Sequence, residues 1–139
     1  MRLAVLDTNV LVSAGIRPGS PPARIVMDWV LDGVVQVVTC PWVIGEYRDV
    51  VRHPKFDRYG FPPLWLEFLV DESLCLPDPH PWPQPLPDPK DGPFLALARQ
   101  SGAWLVAGNL RHFPESCRER AVVLPPAEYL AHLEAHGEP

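Results

Sequence analysis

The chain has 139 residues, 47% hydrophobic and 21% charged, ordinary values for one soluble globular domain with a proper core. Its net charge of −5 and pI near 5.4 argue against a scaffold that coats nucleic acid through bulk charge, though not against a basic patch beside an acidic site. Cys40, Cys75 and Cys117 are scattered without a Cys-x-x-Cys pair, and no apolar run approaches the ~20 residues of a membrane span. A disulfide framework and a zinc site are therefore not expected. The chain opens directly on a strand pattern rather than a signal peptide, so a reducing cytoplasm is the expected location.

Leu3-Ala4-Val5-Leu6 is a short apolar run of the kind buried on both faces of a parallel sheet. Asp7-Thr8-Asn9 offers three helix caps in succession before Val10-Leu11-Val12. The pattern predicts strand, stop, helix, with Asp7 at the carboxyl end of a first, central strand. There, ligands of open α/β sheets bind. The plainer reading is that Asp7 only caps the helix.

A Gly/Pro loop follows over residues 15–22, then a helix capped by Ser20 and carrying Ile25, Val26, Trp29 and Val30. Val34–Val38 is a second strand. Thr39 or Cys40 restarts a helix that runs from Trp42 through Glu46 to Val51 and stops at Pro54. Glu46 shares its side with Val43, Tyr47 and Val50, an unusual place for a solvated acid. The plainer reading is an exposed Glu near Arg48 or Arg52.

Arg48, Arg52, His53, Lys55 and Arg58 form the one basic cluster, by itself an ordinary solvated surface. Pro62-Pro63 opens a helix through Leu64, Trp65, Phe68 and Leu69, an apolar stripe for the core or a dimer contact. Leu74-Cys75-Leu76 reads as a short strand. From Pro77 to Pro89 every second residue is proline, which forbids helix and central strand. The stretch 77–90 is expected to be a stiff extended crossover, pinned by Trp82 and Leu86, rather than a proline-rich ligand for another protein.

Asp91 lies at the start of an apolar helix, Phe94–Ala98, that ends at Gly102. Ala103–Ala107 is a third strand, Gly108–Pro114 a loop, Ala121–Leu124 a fourth strand, and residues 125–136 a last helix. Strands alternating with helices predict a parallel α/β sheet. Asp7, Asp91 and Asn109 then fall at one edge of that sheet, and Glu46 in the helix after strand two. Carboxylates cannot share a pocket uncompensated; they call for a hard cation such as Mg²⁺ or Mn²⁺. Such a site activates water for in-line hydrolysis of a phosphodiester.

The stretches Val5–Leu11, Ile44-Gly45-Glu46-Tyr47, residues 88–98 and residues 105–114, in this order and spacing, resemble the PIN-domain family. Many of its members are ribonuclease toxins of toxin–antitoxin pairs, VapC-like. The resemblance covers nearly the whole chain as one domain, residues 1–139. It implies a three-layer α/β/α fold with a central, mainly parallel sheet of about four to five strands. It implies Mg²⁺- or Mn²⁺-dependent RNA cleavage with Asp7, Glu46 and Asp91 as catalytic acids and metal ligands. Thr8 or Asn9 would order the first acid. Arg48, Arg52, Lys55 and Arg58, which follow directly on Glu46, together with Arg111, are expected to meet RNA, and a small antitoxin partner and a homodimer are expected.

The family commonly carries an acid after the third strand, where this chain has Asn109. An amide oxygen still ligates a hard cation but brings no charge, and Asp88 compensates only if its loop turns it inward. That departure keeps open a second class, a PIN-like module that binds RNA or protein with little catalysis. A haloacid-dehalogenase-type phosphatase wants a second acid two residues after the first, where this chain has Asn9. No Gly-x-Gly-x-x-Gly or Walker loop supports a nucleotide-cofactor enzyme.

Overall fold

The computed structural model describes residues 2–59 and 63–136; of residues 58, 59, 63 and 64 it describes the backbone only. Strand β1 (Arg2–Leu6) leads through Asp7 into helix α1 (Thr8–Ile16). Helix α2 (Pro21–Arg24) is capped by Ser20, whose hydroxyl accepts from the Ala23 N–H. It widens over Ile25–Val30 into π turns, with the Leu31 N–H reaching back five residues to the Val26 carbonyl. Apolar spacing over six residues cannot separate a π turn from an α turn, so the sequence predicts one continuous helix there.

Strand β2 (Val35–Thr39), helix α3 (Pro41–Val51), a 3₁₀ turn (Pro54–Tyr59), helix α4 (Pro63–Glu72) and strand β3 (Leu74–Cys75) follow. Residues 76–88 form neither helix nor strand, as alternate prolines dictate. This proline strap is fastened by Trp82 and Leu86 against the core and by a 2.8 Å bond from Trp82 Nε1 to the Cys117 carbonyl. A 3₁₀ turn (Pro89–Asp91) then leads into helix α5 (Gly92–Ser101), which ends on Gly102 at φ +76°, a left-handed position natural to glycine. Strands β4 (Trp104–Val106) and β5 (Val123–Leu124) and helix α6 (Pro126–His136) complete the chain.

Among the described residues five strands form one all-parallel sheet, in the order β3-β2-β1-β4-β5. Ala4, Val5 and Leu6 are all fully buried. Successive strand residues face opposite sides, so both faces of the sheet are covered and the fold has three layers. Helix α5 packs against β1, β2 and β4. The chain builds β2 and β3 on one side of β1, then returns to place β4 and β5 on the other. The order therefore reverses between β1 and β4, where open α/β sheets form their crevice. Leu6 pairs with Val106, so the two strands end level there.

Helix α4 buries Leu66 and Leu69 but leaves Phe68 54% exposed, so only part of the expected stripe is core. Pro62 and the side chain of Leu64 lie outside the described residues. The expected loop after β4 contains two 3₁₀ turns, Leu110–His112 and Glu115–Cys117, too short to leave a periodic signal. All three cysteines are free.

Candidate active site

Asp7 is held from three directions. Its N–H donates to the Val106 carbonyl at 2.9 Å, which locks the end of β1 to the end of β4. Its Oδ1 accepts from the Thr8 N–H at 2.8 Å, so the acid does cap α1. The preceding carbonyl, Leu6 O, accepts from the phenol of Tyr47 at 2.5 Å. The cap role and a site role coexist, because one carboxylate oxygen satisfies the helix and the side chain remains 6% exposed at the crevice. Burial, then the neighbouring Asp91, pushes its pKa up to about 6; the Thr8 N–H and His112 pull the other way, and Glu46 adds a smaller push.

Tyr47 is fully buried, while Glu46, one residue earlier on α3, is half-buried. The Phe94 ring meets Trp42 edge-on at 5.9 Å and Tyr47 at 6.5 Å. These aromatic contacts fix α3 against α5, and with them Glu46 against the start of α5, where Asp91 stands.

Asp91 is 8% exposed, and no side-chain capping bond to α5 uses its carboxylate. Its pKa is raised, chiefly by burial and further by Asp88 and Glu46, against the pull of His112. The His112 Nδ1 lies 3.3 Å from Asp91 Oδ2, close enough to attract but not aligned to satisfy that oxygen. Sequence reasoning missed His112. The signal was present, since it sits three residues after Asn109 in the loop that leaves β4 at the same sheet edge.

The remaining sequence candidates divide. Thr8 serves through its backbone N–H, and its buried Oγ1 has no hydrogen-bond partner; Asn9 is exposed. Asp88 is exposed, its Oδ1 spent on the Lys90 N–H at 3.0 Å. Asn109 is likewise exposed and its Oδ1 accepts from the Arg111 N–H at 3.1 Å, so both residues act as turn caps. Arg48 makes a two-pronged pair with Glu67, at 3.0 and 2.5 Å. Arg52, Lys55 and Arg111 are exposed. Arg58 lies in the 3₁₀ turn after α3, and its side chain is outside the described residues.

Two buried oxygens at this edge, Asp91 Oδ2 and Thr8 Oγ1, lack hydrogen-bond partners. Buried polar atoms are seldom left so. With Asp7 raised by burial and then by its acidic neighbours, the donor set suits a hard cation with oxygen ligands. Among the described residues, no three His, Cys, Asp or Glu side chains converge into a ready-made metal cluster. The fit therefore rests on Asp7 and Asp91, with Glu46 further out.

A parallel three-layer α/β domain with buried acids at its switch point is the class that fold and site define. The chain belongs to the PIN-domain family, whose model matches residues 3–111. PIN domains are generally nucleases and typically use divalent metals. No curated protein matches significantly. Among solved structures, the chain is similar to FitAcB from Neisseria gonorrhoeae, at 18% identity and TM-score 0.58, covering 89% of this chain and 98% of that one. It is also similar to FitAB bound to an IR36 DNA fragment, at 19% identity and TM-score 0.55, covering 88% and 94%.

Proposed function

We propose that this protein is a Mg²⁺- or Mn²⁺-dependent endoribonuclease that hydrolyses RNA phosphodiester bonds, and that it is the toxin of a toxin–antitoxin pair. The observation that carries the reading is the buried pair Asp7 and Asp91 at the switch point, one acid raised to about 6 and the other with an unsatisfied oxygen. Asp7 and Asp91 would hold the ion. When bound, a divalent cation neutralises phosphate charge and lowers the pKa of an attacking water. Asp7 is kept in place by the Val106, Thr8 and Tyr47 contacts, so its carboxylate arrives oriented. Glu46, half-buried and close enough to raise the pKa of both acids, would accept a proton from water at the pocket. His112, with Nδ1 3.3 Å from Asp91 Oδ2, pulls the Asp91 pKa down and so favours its ionised, ion-holding form.

Arg52, Lys55 and Arg111, all exposed, supply phosphate contacts along an otherwise acidic molecule. FitAB, a structural neighbour seen bound to an IR36 DNA fragment, is the precedent for such an assembly; in this protein a small antitoxin would cover the acidic pocket. Exposed Phe68 and Leu31 line one hollow and would supply the apolar contact for a homodimer.

The test is cleavage of single-stranded RNA by purified protein with Mn²⁺ or Mg²⁺, with EDTA and Asp7→Asn as controls. Loss of activity in both controls is expected. Activity that survives either one overturns the metal mechanism. Asn109, committed to its turn and uncharged, favours a second reading, a binding module. RNA binding without cleavage in any divalent metal would establish it.

A further inference from the structure

A groove of about 520 Å³ lies between the start of α3 and the proline strap. Trp42, Trp82 and His80 line it, with Pro85, Leu86 and Pro93. Its volume falls in the range of small-ligand sites, which are mostly apolar with a few polar groups. We propose that this groove is a nucleobase subsite that takes an unpaired base of the RNA beside the bond to be cut, an assignment that rests on the ribonuclease reading above.

Three observations carry it. The first is continuity with the acids. Pro89, Gly92 and Pro93 line the groove and bracket Asp91, and Trp42 stands one helical turn before Glu46. The Trp42–Phe94 contact joins those two helix starts. A strand whose phosphate lies at Asp91 has its neighbouring base within reach of the groove. Lys90, exposed in the turn between Pro89 and Asp91, can meet the intervening phosphate.

The second is chemistry. Indole rings stack on any unpaired base, a contact worth a large share of single-strand affinity. Duplex RNA offers no such base, so the groove selects unpaired substrate.

The third is pre-organisation. Asp78 Oδ1 accepts from the Trp42 N–H at 2.9 Å, which ties the strap to α3 and engages the one carboxylate in the lining. Trp82 is pinned through Nε1 to Cys117, and the Arg99 guanidinium covers its ring at 4.6 Å. Gly92 permits the closure, since a Cβ there would stand 3.3 Å from Trp82 Cβ. Alternate prolines keep the wall stiff. A base entering such a groove meets rings already fixed, so little ordering entropy opposes it.

The experiment compares binding of an unpaired RNA hexamer with that of the same hexamer made abasic at its centre, in EDTA, by tryptophan fluorescence quenching. The two probes carry equal charge, so their ratio isolates the base. We expect the intact probe to bind about tenfold tighter to the wild type. Trp42→Leu should bring the ratio near one while leaving the abasic affinity unchanged. Should Trp42→Leu fail to fold, Trp42→Phe, which keeps a ring against Phe94 but offers the base a smaller face, should lower the ratio in the same direction. A wild-type ratio near one overturns the subsite. So does a ratio unchanged in a folded Trp42→Leu, even if that variant loses a protein partner, because the groove then serves protein rather than RNA. Base-dependent binding without cleavage by the wild type in Mn²⁺ supports the groove and sinks the ribonuclease reading. Cleavage without base dependence does the reverse.

Discussion

The phenol of Tyr47 donates to the carbonyl of Leu6 at 2.5 Å, and this bond ties α3 to the last peptide before Asp7. Burial raises the Tyr47 pKa, so the phenol remains a donor at any working pH. One side chain thus sets the distance between the helix that carries Glu46 and the strand end that carries Asp7.

Tyr47→Phe keeps the ring against Phe94 and removes only the hydroxyl. Leaving the Leu6 carbonyl without this donor should cost about 1–3 kcal/mol in chemical denaturation. The cleavage rate should fall while the metal concentration for half-maximal activity rises, because Asp7 loses its register with Glu46. An unchanged metal requirement would show that β4 alone positions Asp7.

Asp7→Asn separates site from stability. A carboxyl near 6 in the folded chain and 3.8 in the unfolded chain binds more protons folded, so stability falls as pH rises through that window. Above pH 6 the burden approaches about 3 kcal/mol, at 1.36 kcal/mol per unit. Without metal, Asp7→Asn should melt higher than the wild type at pH 7, and the two should converge near pH 4. Added Mn²⁺ should raise the wild-type melting temperature and leave the variant's unmoved. Equal responses to Mn²⁺ would remove Asp7 from the metal site.

His112→Ala takes away the group that pulls the pKa of both Asp7 and Asp91 down. The Asp7 titration midpoint, read by carboxyl carbon NMR in metal-free buffer, should move above about 6. A midpoint that stays put would mean the loop after β4 does not hold its imidazole toward the acids in solution.

Asn109→Asp preserves the acceptor that caps the turn and adds a charge on an exposed side chain. Calorimetric titration should show Mn²⁺ affinity changed by less than about threefold, since an exposed charge is screened. Asn109→Ala should cost about 1 kcal/mol through the lost cap. A tenfold gain in affinity for the Asp variant would return position 109 to the ligand set.

Arg52 and Lys55 are exposed, whereas Arg48 is engaged by Glu67, so the first two are expected to carry the salt dependence of RNA binding. Replacing each with Gln should reduce the slope of log affinity against log salt by about 1 per lost phosphate contact. Arg48→Gln should change the slope less. A flat response to all three would move the RNA path to the Arg111 side.

The sequence by itself determined the sheet and its edge. A short apolar run ending in Asp, Pro at a helix start, Gly at a helix end and prolines at every second position are local signals. Each acts through the backbone of its own neighbourhood, so β1, α1, α5 and the strap could be read from the residues. Local patterning also placed Asp7 and Asp91 at strand and helix ends. Whether an acid is buried or exposed was decided only by tertiary packing. Asp88 and Asp91 are three residues apart, yet one caps a turn in solvent and the other is enclosed by α5 and the loop after β4. Asn109 and His112 divide the same way, the amide turned to its own turn and the imidazole to Asp91. The Tyr47–Leu6 bond spans 41 residues, and no periodicity within α3 records where β1 ends. Side-chain direction and desolvation depend on elements far apart in the chain, and only the folded arrangement of β1, β4, α3 and α5 fixes them.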